Sequence, residues 1–189
     1  VERIAADGAS VWMLTRYVLV RDEAGQPRSA ILYMDDITAI KRREQALLHR
    51  AERDGLTGLY NRAAMEAHIR EVLERPAEDR RALLILDLDS MKTINDTFGH
   101  AAGDEALTDM ANALCSHFRH TDRIGRIGGD EFMVFLDGCG SPAWLCGSLE
   151  RLLGKMEGQY VGDGQRLPVR CSVGGAYQRP GDDFEALYR

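Results

Sequence analysis

The chain has 189 residues, of which 44% are hydrophobic and 29% are charged. This length suits one domain plus a smaller segment, with enough apolar residues for a buried core. The net charge of −6 is uneven, because residues 1–50 carry 8 Lys/Arg against 7 Asp/Glu, whereas residues 51–189 carry 16 against 23. Since duplex binding needs many cationic contacts with phosphates, the acidic larger part argues against a nucleic-acid partner.

The sequence favours a cytoplasmic location for these residues. No run approaches the roughly eighteen apolar residues of a membrane span, and the N-terminus lacks the layout of a signal peptide. The four cysteines lack C-x-x-C spacing, and three are expected at apolar core positions of a protein in a reducing compartment. We therefore expect no membrane contact here, although a membrane anchor upstream of Val1 is compatible with this pattern.

Residues 10–34 contain two β-rich runs, V-W-M-L-T-R-Y-V-L-V-R and R-S-A-I-L-Y-M, joined by D-E-A-G-Q-P. The glycine and proline between them predict an antiparallel pair of strands. Because two strands alone are rarely stable in water, this pair is expected to be the end of a larger domain.

A connecting helix is predicted from Asp36 onward. Ile37, Ile40, Leu47 and Ala51 fall on a heptad seam, which Glu44 interrupts. Such a seam can pack against a second copy of the chain or against the helix's own domain, and the pattern leaves both open.

A second domain begins near Asp54, where D-G-L-T-G-L-Y-N-R leads into a helix that Pro76 ends. The run from Ala82 to Leu86 predicts a strand buried on both faces. Asp87 and Asp89 follow it, where α/β folds place ligand chemistry. The alternative is a strand end that faces water.

The next stretch, K-T-I-N-D-T-F-G-H-A-A-G-D, supplies Asn95, His100 and Asp104, with tight turns predicted at Gly99 and Gly103. An amide and a carboxylate together match the hydrogen-bonding edge of guanine and not that of adenine. Alternatively, Asn95 and Asp104 cap the helix that carries Leu107, Met110, Ala111, Leu114 and Phe118.

The stretch R-I-G-G-D-E-F-M-V-F, residues 126–135, predicts a hairpin with a two-residue type I′ turn at Gly128 and Gly129. Asp130 and Glu131 beside the turn are suited to hold a divalent cation near a phosphate. An ordinary hairpin with an acidic shoulder is the alternative.

Downstream, Ser141 and Pro142 predict a helix start, and Val169, Cys171 and Val173 alternate as in a half-buried strand. A last helix is predicted from Asp182. The order of elements favours an α/β sandwich around a mixed sheet.

Three motifs, D-G-L-T-G-L-Y-N-R, D-L-D-S-M-K-T-I-N-D-T-F-G-H-A-A-G-D and R-I-G-G-D-E-F, occur in the order found in GGDEF domains, those of the diguanylate cyclases. The resemblance covers about Arg53 to Arg189. It implies a nucleotidyl-cyclase-like sandwich with a central mixed β-sheet flanked by helices. Residues 1–35 resemble the C-terminal strands of a PAS sensory domain, and residues 36–53 resemble its signalling helix, so residues 54–189 would form the GGDEF domain.

The resemblance implies that a homodimer condenses two GTP molecules into cyclic di-GMP and diphosphate. Mg²⁺, or alternatively Mn²⁺, would be held by Asp87, Asp130 and the Leu88 carbonyl. Asp130 would assist deprotonation of the attacking 3′-OH, with Glu131 as second candidate. The substrate-binding residues implied by similarity, in addition to these, are Asn95, Asp104, His100, Lys92, Gly128 and Gly129.

The resemblance also implies an R-x-x-D inhibitory site for cyclic di-GMP at Arg119 and Asp122. The alternative is a helix-end ion pair between them. Three departures from the family pattern stand out. Met91 replaces a frequent aromatic residue, Gly175 is expected to loosen its strand, and the terminal A-K-x-x-G-R-N stretch is absent, which predicts a weakly active or inactive fragment.

Two other functions remain for comparison. A receptor would bind GTP or cyclic di-GMP without turnover, but the intact acidic set argues against it. A nucleotide-sugar transferase is suggested by D-x-D alone, which explains neither the glycine hairpin nor the guanine-reading pair.

Overall fold

The computed structural model describes residues 2–4, 10–76, 79–89, 91–156 and 170–189. The chain divides into two compact units, residues 1–51 and 52–189. Within the described residues, no helix is both long and apolar enough to cross a bilayer. The predicted strand position of Val169 and the polar loop before it lie outside this part of the chain.

The smaller unit contains a three-stranded antiparallel sheet in the order β1-β2-β3. Its strands are β1 (Glu2–Ile4), β2 (Ser10–Arg21) and β3 (Pro27–Asp36). The predicted antiparallel pair is therefore confirmed, and β1 is an addition that the sequence pattern did not indicate. Asp22 stabilises the connecting turn, because its carboxylate accepts the N–H groups of Ala24 and Gln26 at 3.0 and 2.9 Å.

Both faces of the β2–β3 pair carry exposed apolar side chains. Tyr17 lies opposite Leu32, and the next pair, Val18 and Ile31, points to the other face. These four side chains are between 46% and 71% exposed. An apolar sheet of this kind normally packs against further structure.

Helix α1 (Thr38–Glu52) follows β3. The Asp36 carboxylate accepts the N–H of Thr38 at 2.9 Å, and hydrogen bonding with Thr38 lowers the pKa of Asp36. Ile40 and Leu47 of the predicted seam are 66% and 58% exposed. The helix therefore presents exposed apolar side chains at heptad spacing.

The larger unit contains a five-stranded mixed sheet in the order β4-β6-β7-β5-β8. Strands β4 and β6 are parallel, and the other neighbours are antiparallel. The strands are β4 (Tyr60–Asn61), β5 (Arg80–Asp89), β6 (Arg123–Arg126), β7 (Glu131–Cys139) and β8 (Arg170–Tyr177).

Helices cover both faces of this sheet, as the α/β sandwich predicts. The helices are α2 (Arg62–Leu73), α3 (Met91–Phe98), α4 (His100–His117), α5 (Pro142–Met156) and α6 (Phe184–Tyr188). Side chains of successive β5 residues point to opposite faces of the sheet. Leu84 and Leu86 pack with α3, α4 and α5, whereas Leu83 packs with α2 and α6.

The last helix starts later than the sequence predicts. It begins at Phe184 rather than Asp182, because Asp183 is its N-cap and accepts the N–H of Ala186 at 2.8 Å. The predicted start of α5 is confirmed, since the Ser141 hydroxyl accepts the N–H of Trp144 at 3.3 Å.

Gly175 has the opposite role from the expected loosening of its strand. A Cβ at this position would lie 2.6 Å from Leu84 Cδ2 and 3.3 Å from the Leu83 carbonyl oxygen. The glycine therefore lets β8 and the Leu84 side chain of β5 pack closely.

The burial of the cysteines also differs from expectation. Cys139 is buried and Cys171 is half-buried, whereas Cys115 and Cys146 are exposed. The two exposed residues lie on α4 and α5, where only one stripe of each helix faces the core. Apolar residues next to these two cysteines in the sequence therefore did not mean that the cysteines themselves are buried.

Candidate active site

The glycine turn joins β6 and β7, but it is not the predicted two-residue type I′ turn. The loop comprises residues 127–130, and neither Gly128 nor Gly129 has a φ in the left-handed region. An added Cβ at Gly128 would lie 2.7 Å from Glu131 Oε2, so the Glu131 carboxylate would have to move away. A Cβ at Gly129 would meet nothing within 4 Å, so a ligand can approach this backbone closely.

Arg126 holds this loop against the start of the larger unit. Its Nε and Nη2 donate to the Gly129 carbonyl at 3.1 and 2.7 Å, and its Nη1 donates to the Asp54 carboxylate at 3.1 Å. Asp54 also accepts the N–H and hydroxyl of Thr57 at 2.9 and 2.7 Å. Burial alone would raise the pKa of Asp54, but the hydrogen bonds from Thr57 and Arg126 outweigh burial and lower it.

Carboxylates from two strands meet at one end of the sheet. Asp87 of β5 lies opposite Glu131 of β7, and the N–H of Leu88 donates to the Asp130 carbonyl at 3.1 Å. Burial raises the pKa of Asp87, and the charges of Asp130, Glu131 and Asp89 raise it further. A bound cation would stabilise the ionised form of this carboxylate.

The chemistry of these donors fits a hard divalent cation. Mg²⁺ prefers oxygen ligands, and it commonly uses one or two protein carboxylates together with substrate phosphates. Among the described residues, no group of three or more His, Cys, Asp or Glu side chains is arranged to hold a metal ion. Asp87, Asp130 and the Leu88 carbonyl match the smaller set that accompanies a nucleotide. Asp89 is engaged elsewhere, because its oxygens accept the Ser172 hydroxyl at 2.9 and 3.1 Å.

A cavity of about 450 Å³ lies beside the glycine turn. Its walls bring together six residues selected from the sequence, which are Lys92, Asn95, His100, Asp104, Gly129 and Asp130. Asp87, Leu88, Gly128 and Glu131 are not part of these walls and lie on the strand ends and turn next to Asp130. Sequence reasoning missed five further wall residues as site residues, which are Met91, Asp96, Gly103, Leu107 and Arg126.

Asn95 and Asp104 do not cap a helix, so the capping alternative is wrong. Asn95 lies within α3 and Asp104 within α4, whose N-cap is Gly99 with φ +85°. Gly103 is not in a tight turn either, since it lies inside α4. A Cβ at Gly103 would lie 2.1 Å from Asn95 Oδ1, so the glycine makes room for the Asn95 side chain.

The larger part of the chain matches a known protein family. The profile of the family described as "Diguanylate cyclase, GGDEF domain" matches residues 51–189. The chain belongs to this family. Residues 1–50 lie outside the match.

Curated and solved relatives resemble this GGDEF domain over most of its length. "Probable diguanylate cyclase DgcC" of Escherichia coli (strain K12) is 37% identical over 142 residues, which cover 74% of this chain and 37% of DgcC. Diguanylate cyclase SiaD of Pseudomonas aeruginosa, solved in complex with its activator SiaC, has a TM-score of 0.66 and 34% identity, covering 78% of this chain and 57% of that one.

A third relative shows the fold alone, because its identity is only 22%. It is the coiled coil and GGDEF domain of DgcB from Caulobacter crescentus, in complex with c-di-GMP, with a TM-score of 0.74 and coverage of 80% of this chain and 82% of that one. The chain spans little more than a third of the length of DgcC, at 37%.

In this GGDEF domain, Arg119 and Asp122 form a turn between α4 and β6. Asp122 Oδ2 accepts the N–H of Arg119 at 2.8 Å, and the N–H of Asp122 donates to the Arg119 carbonyl at 3.0 Å. The carboxylate thus bonds to the backbone of Arg119 and not to its guanidinium, which differs from the ion pair considered from sequence. Both residues line a second cavity, of about 290 Å³.

Proposed function

We propose that this chain is a diguanylate cyclase that condenses two GTP molecules into cyclic di-GMP and releases diphosphate. The observation that carries the proposal is the single cavity in which Asn95 and Asp104 meet Gly129 and Asp130. This grouping supports the proposal, because one nucleotide could contact both the pair proposed to read guanine and the turn proposed to bind phosphate. The relatives named diguanylate cyclases support the same reaction. A nucleotide-sugar transferase would use neither feature.

Binding of GTP is assigned to residues that line the cavity. Asn95 donates to the guanine carbonyl and accepts at a ring nitrogen, and Asp104 accepts from N1–H and the exocyclic amine. Adenine lacks this pattern and is rejected, because it would leave the polar groups that face the base unpaired. Lys92 and His100 line the same cavity, and Lys92 adds positive charge toward the phosphates.

A divalent cation, Mg²⁺ or alternatively Mn²⁺, would be held by Asp87, Asp130 and the Leu88 carbonyl. Diguanylate cyclases with GGDEF domains depend on divalent metals in general. When bound, the ion supplies neutralisation of phosphate charge during in-line attack at the α-phosphorus. The open backbone at Gly129 lets the phosphates lie against the turn.

Asp130 is the residue proposed to accept the proton of the attacking 3′-OH. It lines the cavity, whereas Glu131, the second candidate, does not. Glu131 lies opposite Asp87 and against Gly128, where it shapes the turn. Positioned general bases contribute typically 10²–10⁴-fold to rate.

The reaction requires a homodimer, because the proposed substrate cavity holds one nucleotide and the product contains two guanines. The exposed seam at Ile40 and Leu47 supports association through α1. We propose that residues 1–35 are the C-terminal end of a PAS domain and residues 36–53 its signalling helix. The antiparallel sheet followed directly by a helix supports this assignment.

Product inhibition is proposed at Arg119 and Asp122. The guanidinium of Arg119 can contact a phosphate or a guanine of cyclic di-GMP in two places, and Asp122 can accept from guanine N–H groups. Arg119→Ala is expected to relieve inhibition by added cyclic di-GMP in a steady-state assay. Unchanged inhibition in this variant would remove the assignment.

The test of the proposed reaction is chromatography of products after incubation with GTP and Mg²⁺. The wild-type protein is expected to form cyclic di-GMP, and Asp130→Asn to form it about 10²–10⁴-fold more slowly. Glu105→Gln, an exposed carboxylate on α4 next to Asp104, is the matched control and is expected to keep wild-type activity. If GTP binds but remains unchanged, the receptor function replaces the cyclase.

A further inference from the structure

The cavity beside the glycine turn is also lined by Asp96, a carboxylate to which neither guanine binding nor the proposed cation site assigns a role. Asp96 is exposed and lies within α3. It follows Asn95 directly and lies one helical turn after Lys92, so the three side chains share one side of the helix. All three line the same cavity. Asp96 is therefore placed where a nucleotide bound between Asn95 and Lys92 can reach it.

The carboxylate of Asp96 is available to a ligand. Among the residues that the structure describes, it accepts no hydrogen bond and takes part in no ion pair. Lys92 has a spacing that often gives an ion pair on a helix, but it does not pair with Asp96. An ionised carboxylate only accepts hydrogen bonds, so its ligand must offer a donor.

One part of GTP matches this requirement. The phosphates are anionic and would be repelled by the Asp96 carboxylate. The N1–H and exocyclic amine of guanine are already assigned to Asp104. The ribose carries a 2′-OH and a 3′-OH, and both can donate to a carboxylate. The ribose is therefore the part of the nucleotide that Asp96 can stabilise.

We propose that Asp96 accepts a hydrogen bond from the 2′-OH of the GTP ribose and thereby selects ribonucleotides over 2′-deoxyribonucleotides. This inference rests on the proposed function, because it takes the cavity to hold GTP. The 3′-OH stays free, as the proposed reaction requires of the attacking group. A hydrogen bond to an ionised acceptor is about twice as strong as a neutral one, which makes the 2′-OH an effective point of selection.

Two other roles for Asp96 would have different consequences. A carboxylate that orients Lys92 acts on the phosphates, and a carboxylate that helps to hold the divalent cation acts on the metal. Neither role depends on the 2′-OH. Removal of Asp96 would then change the affinity for ribonucleotides and for 2′-deoxyribonucleotides by the same factor.

Calorimetry in the presence of Mg²⁺ can compare guanosine diphosphate with 2′-deoxyguanosine diphosphate. Neither ligand can release diphosphate, so binding is measured without turnover. The wild-type protein is expected to bind the ribonucleotide about 10- to 100-fold more tightly, the range given by a hydrogen bond to a charged group. Asp96→Ala is expected to bind the two ligands with nearly equal affinity. Asp96→Asn keeps a neutral acceptor and is expected to give an intermediate ratio.

Glu105→Ala is the matched control. Glu105 is an exposed carboxylate of α4 that does not line the cavity. The variant is expected to keep the wild-type ratio of the two affinities. Because both substitutions place alanine at exposed positions inside helices, where it is the most favourable residue, both proteins are expected to fold.

The outcomes separate this inference from the proposed function. If guanosine diphosphate binds but the wild-type protein does not discriminate against the 2′-deoxy form, Asp96 does not read the 2′-OH and the cavity remains a guanine nucleotide site. The same conclusion follows if Asp96→Ala keeps the wild-type ratio or weakens both ligands equally. If the wild-type protein binds neither guanosine diphosphate nor GTP, the role of Asp96 and the proposed function are both wrong.

Discussion

The cavity depends on a close contact between two neighbouring helices, where an added Cβ would displace a side chain proposed to bind guanine. Asn95 of α3 lies against Gly103 of α4, one residue before Asp104. A Cβ at Gly103 would come within 2.1 Å of Asn95 Oδ1 and 3.0 Å of its Cγ. The side chain of Asn95 can keep its place only because residue 103 is glycine.

Gly103→Ala is expected to reduce GTP affinity about tenfold or more, because it displaces one of two groups that pair with the base. Stability should change little, since the helical propensity gained from alanine, about 1 kcal/mol, offsets local repacking. Calorimetric GTP binding and thermal unfolding measure the two effects. Gly154→Ala on α5, where a Cβ meets nothing within 4 Å, is the control and should raise stability without changing GTP affinity.

Sequence reasoning selected most of the polar residues of the cavity but not the residues that position them. Asn95 and Asp104 were recognisable because an amide and a carboxylate match guanine. Arg126 was not, since a single arginine before a glycine turn gives no signal of its partners, one of which, Asp54, lies 72 positions away. The reason for Gly103 was also misjudged, because close packing between helices leaves no local pattern.

At the scale of elements, the glycine loop is held by a hydrogen-bonded connection to the segment after α1. Arg126 donates hydrogen bonds to both the Gly129 carbonyl and the Asp54 carboxylate. The Thr57 hydroxyl donates to the same carboxylate. Asp54 follows the end of α1 at Glu52 by only two residues. A shift of this segment would therefore act directly on the loop that forms the cavity wall.

Asp54→Asn is expected to lower the free energy of unfolding by about 1–3 kcal/mol at neutral pH, because it weakens a charge-assisted hydrogen bond to Arg126. The pKa of Asp54 is lowered in the folded state, so its contribution is present above the unfolded value of about 3.9 and is lost as the pH falls through the folded pKa. Denaturant unfolding of the two proteins should therefore begin to converge below about pH 4 and coincide only once the pH lies below the folded pKa of Asp54.

Asp109→Asn removes a carboxylate from α4, and it serves as the control for Asp54→Asn. We expect this variant to unfold as the wild type does across the same pH range. A stability difference between Asp54→Asn and the wild type that persisted in acid would mean that the ionised carboxylate of Asp54 does not stabilise the fold.

The helices and buried strands could be predicted from the periodicity of hydrophobic residues, whereas the geometry of the glycine turn could not. The alternating cores of β5 and the apolar stripe of α4 are visible in the sequence. Paired glycines between strands suggested a tight turn, but the structure uses a loop of residues 127–130 in which one glycine avoids Glu131. Steric contacts between a glycine and a side chain three residues later cannot be read from composition.

At the scale of the molecule, the proposed reaction requires that two chains present their nucleotides to each other. We expect Ile40→Glu combined with Leu47→Glu to shift the protein toward monomer and to lower activity per chain, because charges replace the exposed apolar seam of α1. Sedimentation and cyclase assays at the same protein concentration measure both effects. Gln45→Glu, exposed on α1 outside the seam, is the control.

If the double variant loses activity while it remains dimeric, the seam does not control association. If it remains both dimeric and active, the proposed role of α1 in bringing the nucleotides together is wrong. A loss of both that is reversed at higher protein concentration supports association through this helix, since a weakened dimer re-forms by mass action.

Motifs that are far apart in the sequence come together because of the order of the strands in the sheet, and this order cannot be read from the sequence. Because β5 lies next to β7 in the order β4-β6-β7-β5-β8, Asp87 comes to lie opposite Glu131. Each motif suggested the chemistry of its own residues, and the family resemblance suggested that the motifs together form one site.

The most direct test is to quantify cyclic di-GMP and diphosphate formed from GTP and Mg²⁺ by the complete protein at several protein concentrations. We expect two diphosphates for each cyclic di-GMP, and a rate per chain that rises with protein concentration until the dimer is fully formed. GTP that binds but remains unconverted at high protein concentration would contradict the assignment as a diguanylate cyclase.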